Sequence, residues 1–527
     1  MRLGALRGEL ALAWAAAAFG AIGIASAWTP ELADRSDFVR GVLPPGVPGA
    51  ARIAVLAFGF ALIWLSRSLA RRKRRAWQLA VALVLATSIG HLAKGLDFEE
   101  ASLGVLLLIA LLRFRRRFVV PGDTGAVRPL LSAGLALAGV GALTLVLERR
   151  GIEGDALENT LVAFTLVLVF RALYVWLRPL SQKVRQPAEE RRLVRQIVRT
   201  RGDDSLAFFS LRSDKSYFFS PSRRSFLAYR VIGGCALVSG DPVGENDELP
   251  ELLAEFRRVC HAHGWRLGLL GVGADRLRIA RTLGLRSIKI GDEAVVRPLE
   301  FSLEGRPIRK VRQSVSRLER AGYRYRVLRA GDVGPSLRLE LEAVSAAWRG
   351  WNVERGFSMA MDDLFREPET LFVLAERGGH VGGFLHLVPS ARGYSLGAMR
   401  RRRDTPNGLI ESLIAELLSW ARDRGTKEIS LNFCVFADFL ADNAESRSDR
   451  VIGRALRVGD RFFQLERLLV FSRKFAPDWR PRYLCVERLG DLPVVALAYL
   501  RVESLLTPPG PWARRSAEPV EQQLLSD

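Results

Sequence analysis

The segment RPIRKVRQSVSRLERAGYRYR, residues 306–326, divides the second half of the chain into two similar parts. Placed on a helix, its apolar and basic residues fall on opposite sides. The apolar side consists of Ile308, Val311, Val315 and Leu318, and the basic side of Arg309, Lys310, Arg317 and Arg320. A phosphate backbone is a natural partner for such a basic side. A solvated helix face beside a membrane explains the pattern equally well.

Strand and helix patterns alternate on both sides of this segment, as is typical of α/β domains. We predict a first subdomain over residues 188–304, a basic connecting helix over 305–330, a second subdomain over 331–505 and a disordered tail over 506–527. Predicted strands cover Ser216 to Phe219, Arg230 to Val238, Val295 to Phe301, Thr370 to Glu376, Gly382 to Leu387, Tyr394 to Met399 and Glu428 to Phe436. Predicted helices cover Leu249 to His263, Ile308 to Ala321, Leu337 to Arg349 and Gly408 to Arg424.

Residues 1–180 alternate apolar runs with short charged connectors, which predicts a membrane domain of about six helices. Five runs approach the roughly 20 residues that a transmembrane helix needs. They are Leu10 to Trp28, Ile53 to Leu65, Trp77 to Ala93, Leu130 to Leu147 and Leu161 to Leu177. A sixth run, Ala101 to Leu112, is short and is counted because the orientation of the others requires it.

The basic connectors predict the orientation of these helices. Residues 71–75, 113–117 and 178–185 are rich in Arg and Lys. Counted along the chain, they follow the second, fourth and sixth runs, which end at Leu65, Leu112 and Leu177. Acidic residues predominate in the other connectors. By the positive-inside rule, the N-terminus and the C-terminal half are expected on the cytosolic side of the plasma membrane.

Composition restricts the possible partners and cofactors. The formal charge is +22, from 78 Lys and Arg against 56 Asp and Glu, so phosphate-bearing lipids or nucleic acids should be attracted. The cysteines Cys235, Cys260, Cys434 and Cys485 have no CxxC spacing. This spacing argues against a disulfide framework or a thiolate metal site. We therefore predict neither a metal nor a cofactor.

The motif RRRDTPNG, residues 401–408, lies between a predicted strand and a predicted helix. We expect Thr405 to cap the helix, Pro406 to lie in its first turn, and Gly408 to admit an incoming group. Free amides at the helix start, beside the arginines at 400–403, would suit a phosphate or carboxylate. GVGADRL, from Gly271, lacks the full dinucleotide glycine pattern and predicts only a strand-to-helix turn.

Six further segments occur in order over residues 190–505. They are SYFFS from Ser216, FLAYRVIGGCALVSGDPVG from Phe226, RKVRQSVSRLERAGY from Arg309, MRRRRDTPNG from Met399, EISLNFCVF from Glu428 and FSRKFAPDWRPRYL from Phe471. Together they resemble the aminoacyl-phosphatidylglycerol synthase family, which includes the bacterial phosphatidylglycerol lysyltransferases. The resemblance implies two tandem GNAT-like acyltransferase folds, joined by the basic helix and attached to a multi-span α-helical membrane domain.

The resemblance also implies a reaction and its site. An aminoacyl group would pass from aminoacyl-tRNA to a hydroxyl of phosphatidylglycerol, giving lysyl- or alanyl-phosphatidylglycerol and lowering the negative charge of the membrane. Arg400 and Lys474 match the family's site arginine and C-terminal lysine, which predicts catalytic roles. Arg482, Asn407, Asn432 and Arg402 are predicted to bind substrate, and the basic side of the connecting helix to bind tRNA. Structural pairing is an equally good interpretation of Arg482 and Asn432.

Two positions depart from the family pattern. Gly397 stands where members commonly have Asp, and Ala476 where many have Arg. The lost carboxylate favours either a different amino-acid preference or an inactive relative that retains lipid or RNA binding. Another lipid acceptor, such as a sterol or a neutral glyceride, is a further possibility, and an oligomer is also compatible. An acyl-CoA-dependent acyltransferase is a weaker alternative, because RRRDTPNG has one glycine where a pyrophosphate loop usually has more.

Overall fold

The computed structural model describes residues 3–29, 47–121, 155–176, 180–350, 356–435 and 465–506, with a few single positions between 132 and 146. Contacts within the chain divide it into two units. The first unit comprises residues 1–181 with 259–265, and the second comprises residues 182–258 with 266–527.

The first unit is helical. Its helices are α1 Leu3–Trp28, α2 Val47–Leu69, α3 Arg74–Gly95, α4 Phe98–Arg113 and α5 Asp155–Trp176. The first three are long and apolar enough to cross a membrane. Helix α4 has 16 residues, so it is short for a span, as its sequence predicted. Most of the predicted run Leu130 to Leu147 lies outside the described residues.

In the part of the second unit that the structure describes, eleven strands form one sheet in the order β1-β2-β3-β4-β11-β5-β10-β9-β8-β7-β6. The strands are β1 Ser216–Phe219, β2 Phe226–Ile232, β3 Cys235–Ser239, β4 Arg266–Gly273, β5 Arg286–Val296, β6 Arg324–Arg329, β7 Leu371–Arg377, β8 His380–Ser390, β9 Gly393–Arg401, β10 Glu428–Val435 and β11 Asp478–Val486. The helices are α6 Ala188–Arg201, α7 Leu249–His263, α8 Leu277–Thr282, α9 Arg309–Arg320, α10 Pro335–Arg349, α11 Leu409–Asp423, α12 Leu465–Ser472 and α13 Leu492–Val502. The end of α7, from residue 259, is assigned to the first unit.

The sheet only partly follows the predicted division into two consecutive subdomains. Strand β5 pairs antiparallel with β10, which joins the two halves into one sheet. Strand β11 comes from the segment predicted for the second half but lies between β4 and β5 of the first. Strand β6 comes from the connecting segment and forms the opposite edge. The two halves therefore share strands that sequence order alone assigns differently.

Two of the predicted strands were wrong in detail. The single strand predicted over Arg230 to Val238 is the end of β2, a tight turn and most of β3. Gly233 and Gly234 form this turn with φ of 58° and 76°, values that glycine adopts without strain. The strand predicted from Val295 to Phe301 is the end of β5, which stops at Val296. A turn that begins at Arg297, just before Pro298, follows it.

Helices cover both faces of the second half of the sheet. Because side chains alternate between the two faces along a strand, neighbouring residues of β8 pack against different helices. On one face, Leu385 and Leu387 belong to a buried cluster with residues of α9 and α11. On the other, Phe384 belongs to a cluster with Leu341 and Val344 of α10. Successive residues of β8 therefore have different neighbours, and the pairing of β9 with β8 decides on which face each residue of β9 lies.

Candidate functional site

Arg400 lies near the end of β9, on the face of the sheet covered by α10. It pairs in register with Phe384 of β8, and residues directly opposite each other in a sheet share a face. Its side chain is half-buried. The predicted catalytic cation is thus held on a rigid strand.

Three residues N-terminal to Arg400, the ladder between β8 and β9 is irregular. His386 pairs with Ala398, and Leu387 pairs with Leu396, so that Gly397 lies in a β-bulge opposite them. A Cβ built on Gly397 would lie 2.9 Å from Nδ1 of His386, closer than van der Waals contact allows. The imidazole therefore occupies the space next to Gly397.

His386 is fully buried, and within the described residues its ring nitrogens make no hydrogen bond of good geometry, although the backbone of Leu364 lies near the ring. Burial lowers the pKa of His386 to about 3; the backbone of Leu364 opposes this shift and the charge of Arg400 adds to it. The ring is therefore neutral at physiological pH. Its edge-to-face contact with Phe372, at a centroid distance of 5.1 Å, fixes one side of it.

Asn432 links β10 to this part of β9. Its Nδ2 donates to the carbonyl of Leu396 at 3.0 Å and to that of Met359 at 2.8 Å. Its φ is 70°, a conformation that asparagine tolerates better than most residues. The amide is 7% exposed and satisfies backbone groups, so the structure favours a positioning role for Asn432 over direct substrate binding.

The motif at residues 401–408 differs from the prediction. Helix α11 begins at Leu409 with Gly408 as its N-cap, at φ 96°. Thr405 does not cap the helix, because its hydroxyl donates to the carbonyl of Arg402 at 2.7 Å. Pro406 accordingly precedes the helix instead of lying in its first turn.

Gly408 does admit a close neighbour, which belongs to the basic helix α9. A Cβ on Gly408 would lie 2.5 Å from Oγ of Ser314. Arg317 of the same helix donates to the backbone carbonyl of Asn407 at 3.1 Å. The absence of a side chain at Gly408 therefore lets α9 pack directly on the start of α11, while the side chain of Asn407 is exposed.

Lys474 lies at the same end of α11. Its Nζ donates to Oε1 of Glu411 at 2.7 Å and lies 5.2 Å from the ring centroid of Phe471. Helix α11 packs on the face of the sheet opposite α10. The described contacts thus give Lys474 and Arg400 different immediate neighbours, and a joint catalytic role for them stays a prediction.

Arg482 lies at the centre of the sheet in a buried charged network. Its guanidinium donates to Glu293 at 3.0 Å and to Asp204 at 2.6 Å. Ser205 and Ser430 also donate to Glu293. Although burial raises the pKa of Glu293, the charge of Arg482 and these hydroxyls hold it below its ordinary value. Because its guanidinium already donates to Glu293 and Asp204, a structural role for Arg482 is better supported than substrate binding.

Arg402 is also held by protein groups. Its Nε donates to the carbonyl of Val381 at 2.8 Å, and its Nη2 lies 3.5 Å from Glu340. These contacts connect the end of β9 to β8 and α10. Substrate binding by Arg402 would have to use its remaining donors.

The basic segment forms helix α9 over Arg309–Arg320, and β6 follows it within the range 305–330 that was predicted as the connecting helix. Its buried residues are Val311, Ser314 and Leu318, and Ile308 precedes them at the N-cap. The predicted phosphate-binding residues Arg309, Lys310, Arg317 and Arg320 are all exposed. Their charges therefore face solvent on one side of a helix that is fixed against α11.

Sequence reasoning missed His386, Glu293 and Glu411. His386 interrupts a strand that is otherwise apolar, and a polar residue predicted to be buried was the available signal. Glu293 occupies a similar position in β5. Glu411 gave no signal, because an acidic residue in the first turn of a helix is common for reasons of helix stability.

Among the residues that the structure describes, one group of possible metal ligands occurs, and it lies in the first unit. His91, Asp97 and Glu100 present ligand atoms within 4.8 Å of one another. The ammonium of Lys94 lies 2.9 Å from Asp97, so a positive charge already lies next to this carboxylate.

Comparison with known proteins shows where the resemblance lies. The family model "Phosphatidylglycerol lysyltransferase, C-terminal" matches residues 195–486. The chain is 31% identical over 516 residues to the lysylphosphatidylglycerol biosynthesis bifunctional protein LysX of Gordonia bronchialis, covering 86% of this chain and 45% of that protein. It is 33% identical over 526 residues to the protein of the same name from Mycobacterium sp. strain KMS, covering 88% and 47%. The chain thus spans less than half the length of these relatives.

Two solved structures resemble the second unit. A C-terminal domain (DUF2156) from Agrobacterium fabrum, from a protein described as a lysylphosphatidylglycerol synthetase, is 25% identical with a TM-score of 0.54 and covers 61% of this chain and 99% of that one. The structure of L-PGS from Bacillus licheniformis is 20% identical with a TM-score of 0.52 and covers 62% and 100%. The α/β fold of the second unit is therefore shared with both.

Proposed function

Because the chain belongs to the phosphatidylglycerol lysyltransferase family, we propose that it transfers an aminoacyl group from aminoacyl-tRNA to a hydroxyl of phosphatidylglycerol. Residues 195–486 form the domain that the family model describes, and this match is the observation that carries the proposal. Lysyl and alanyl groups are the first donors to test. The product would carry an added positive charge and would make the membrane surface less negative.

The chemistry needs positioning more than a cofactor. The lipid hydroxyl oxygen attacks the carbonyl carbon of the aminoacyl ester, and the bond to the terminal ribose oxygen of tRNA breaks. The proton of the lipid hydroxyl ends on the ribose oxygen that leaves. Because the ester is already activated, the protein has to orient the two substrates, assist the proton transfer and stabilise the oxyanion.

Several described residues support these tasks. Arg400 and Lys474 are proposed to stabilise the oxyanion or to hold a substrate phosphate, since Arg400 lies on a strand inside the sheet and Lys474 is oriented by its ion pair with Glu411. The exposed side of α9, with Arg309, Lys310 and Arg320, is proposed to bind the tRNA backbone. Arg317 would connect this surface to the start of α11 through its bond to Asn407.

Membrane attachment is the second part of the proposal. The three helices α1, α2 and α3 can cross a bilayer by length and composition. We infer six spans in the plasma membrane with both termini in the cytosol, because the basic connectors then all face inward. The second unit would be two tandem GNAT-like folds whose sheets are joined through β5 and β10.

A lipid extract tests the function directly. The chain should be expressed in cells that make phosphatidylglycerol, and the lipids analysed by mass spectrometry for aminoacyl adducts. A lysyl or alanyl adduct that is absent from cells with an empty vector supports the proposal, and adducts on another lipid identify a different acceptor. Purified protein that forms no adduct with any charged tRNA would instead support the inactive relative that Gly397 suggests.

A further inference from the structure

The imidazole of His386 has an unusual environment. It is fully buried, and within the described residues its two nitrogens make no hydrogen bond of good geometry, although the backbone of Leu364 lies near the ring. Leaving buried polar atoms unsatisfied costs free energy, so such groups usually require an explanation. An apolar residue of similar size would fill the same space against Phe372 at no such cost.

The neighbours of His386 connect it to the proposed site. Its Nδ1 lies 2.9 Å from the point where a Cβ on Gly397 would be. Gly397 lies in the bulge of β9, three residues before Arg400, and bulges commonly re-aim side chains beside active sites. Asn432 holds the preceding residue, Leu396, through its carbonyl. The backbone that carries Arg400 is thus fixed from β10 and contacted by His386 from β8.

We propose that His386 and position 397 form one element that selects the aminoacyl donor: the imidazole takes the space that a side chain at position 397 would need and thereby sets the position of Arg400. This inference rests on the proposed function. His386 is a positioning residue, since it acts through the β9 backbone and Arg400. The pair adds no negative charge beside Arg400. A variant with a carboxylate at position 397 and a small residue at position 386 should therefore select donors with a cationic side chain more strongly.

The two positions should be tested as a double-mutant cycle in the full chain in detergent. The variants are His386→Ala, Gly397→Asp and both together, and His380→Ala is the matched control. His380 begins the same strand but is exposed. Each variant is measured for its thermal midpoint and for the ratio of kcat/KM with lysyl-tRNA to kcat/KM with alanyl-tRNA.

We expect Gly397→Asp alone to lower the thermal midpoint and to reduce transfer at least about tenfold, because the new side chain meets the ring. Adding His386→Ala should restore most of the midpoint, so that the two effects are not additive. In the double variant the lysyl-to-alanyl ratio should rise on the order of tenfold. The control should change neither quantity.

The inference is overturned if the two substitutions act additively on the midpoint, or if the donor ratio is the same in every active variant. A purely structural histidine would change the midpoint and leave the ratio untouched. If the parent protein is inactive with every charged tRNA, the proposed function and the donor-selecting role both fail. Coupling in the thermal midpoints would then show only that the two positions share one space.

Discussion

Nζ of Lys474 lies 2.7 Å from Oε1 of Glu411, and this ion pair ties the turn after α12 to the first turn of α11. The lysine is 29% exposed and the glutamate 17%. The pair therefore lies at a surface where an incoming phosphate can compete for the lysine. Arg317 approaches the same end of α11 through its bond to Asn407.

Lys474→Ala should lower the transfer rate on the order of 10²-fold with little loss of stability, as removal of a preorganised donor does in other enzymes. The neighbouring Arg473 is exposed, and Arg473→Ala is the matched control. Single-turnover rates and circular dichroism measure the two properties. Equal rates for Lys474→Ala and the control would remove Lys474 from the site.

Arg400→Ala should also reduce transfer on the order of 10²-fold while the domain remains folded. The residue is half-buried on β9, so Arg400→Lys keeps the charge but changes its geometry. We expect the lysine variant to recover only part of the rate, because a guanidinium binds phosphate or an oxyanion through two donors. Transfer that is unaffected by both substitutions would contradict the assignment.

Arg482→Ala should act chiefly on stability. It would leave Glu293 and Asp204 without their cation, and breaking a buried ion pair from one side costs about 3–5 kcal/mol. Arg480→Ala is the comparison on the same strand, where a partly exposed pair with Glu428 should contribute about 0–1 kcal/mol. Denaturant unfolding of both variants measures the difference, and similar values would show that the central network is not a stabilising one.

Acid should destabilise the second unit partly through His386. Its pKa is lowered to about 3 in the folded chain from 6.5, so unfolding takes up a proton between these values and stability falls as the pH is lowered through this window. His386→Asn removes this contribution and should flatten the pH dependence there. Hydrogen exchange of β8 at several pH values tests this, and an unchanged slope would mean that the ring titrates normally.

Transfer should persist in strong chelators and fall steeply with salt, because tRNA binding through α9 would release counterions. Neutralising Arg309 and Lys310 together should reduce the salt slope. Arg338→Ala on α10 is the control, since this arginine is exposed and paired with Glu342. Loss of transfer in EDTA that zinc restores would contradict the expectation that no metal is needed. A response that is flat with salt would exclude this mode of donor binding.

The sequence by itself determined the elements whose periodicity is strong. Helices α7, α9, α10 and α11 begin and end within two residues of their predicted bounds, because an amphipathic pattern fixes both the type and the length of a helix. The same holds for β1 and β7. The resemblance to the family was confirmed by the family model over residues 195–486, since it depended on several ordered segments and not on one motif.

Only the tertiary structure decided which polar residues are available to a substrate. Arg482 and Lys474 are both basic residues in one short motif, yet the first is buried between two carboxylates and the second lies at the surface. The insertion of β11 between β4 and β5 causes this difference, and strand order depends on contacts between residues far apart in the chain. The contact between His386 and Gly397 has the same origin: a bulge shifts the pairing of β8 and β9 by one residue, and a shift of that size is not encoded in the periodicity of either strand.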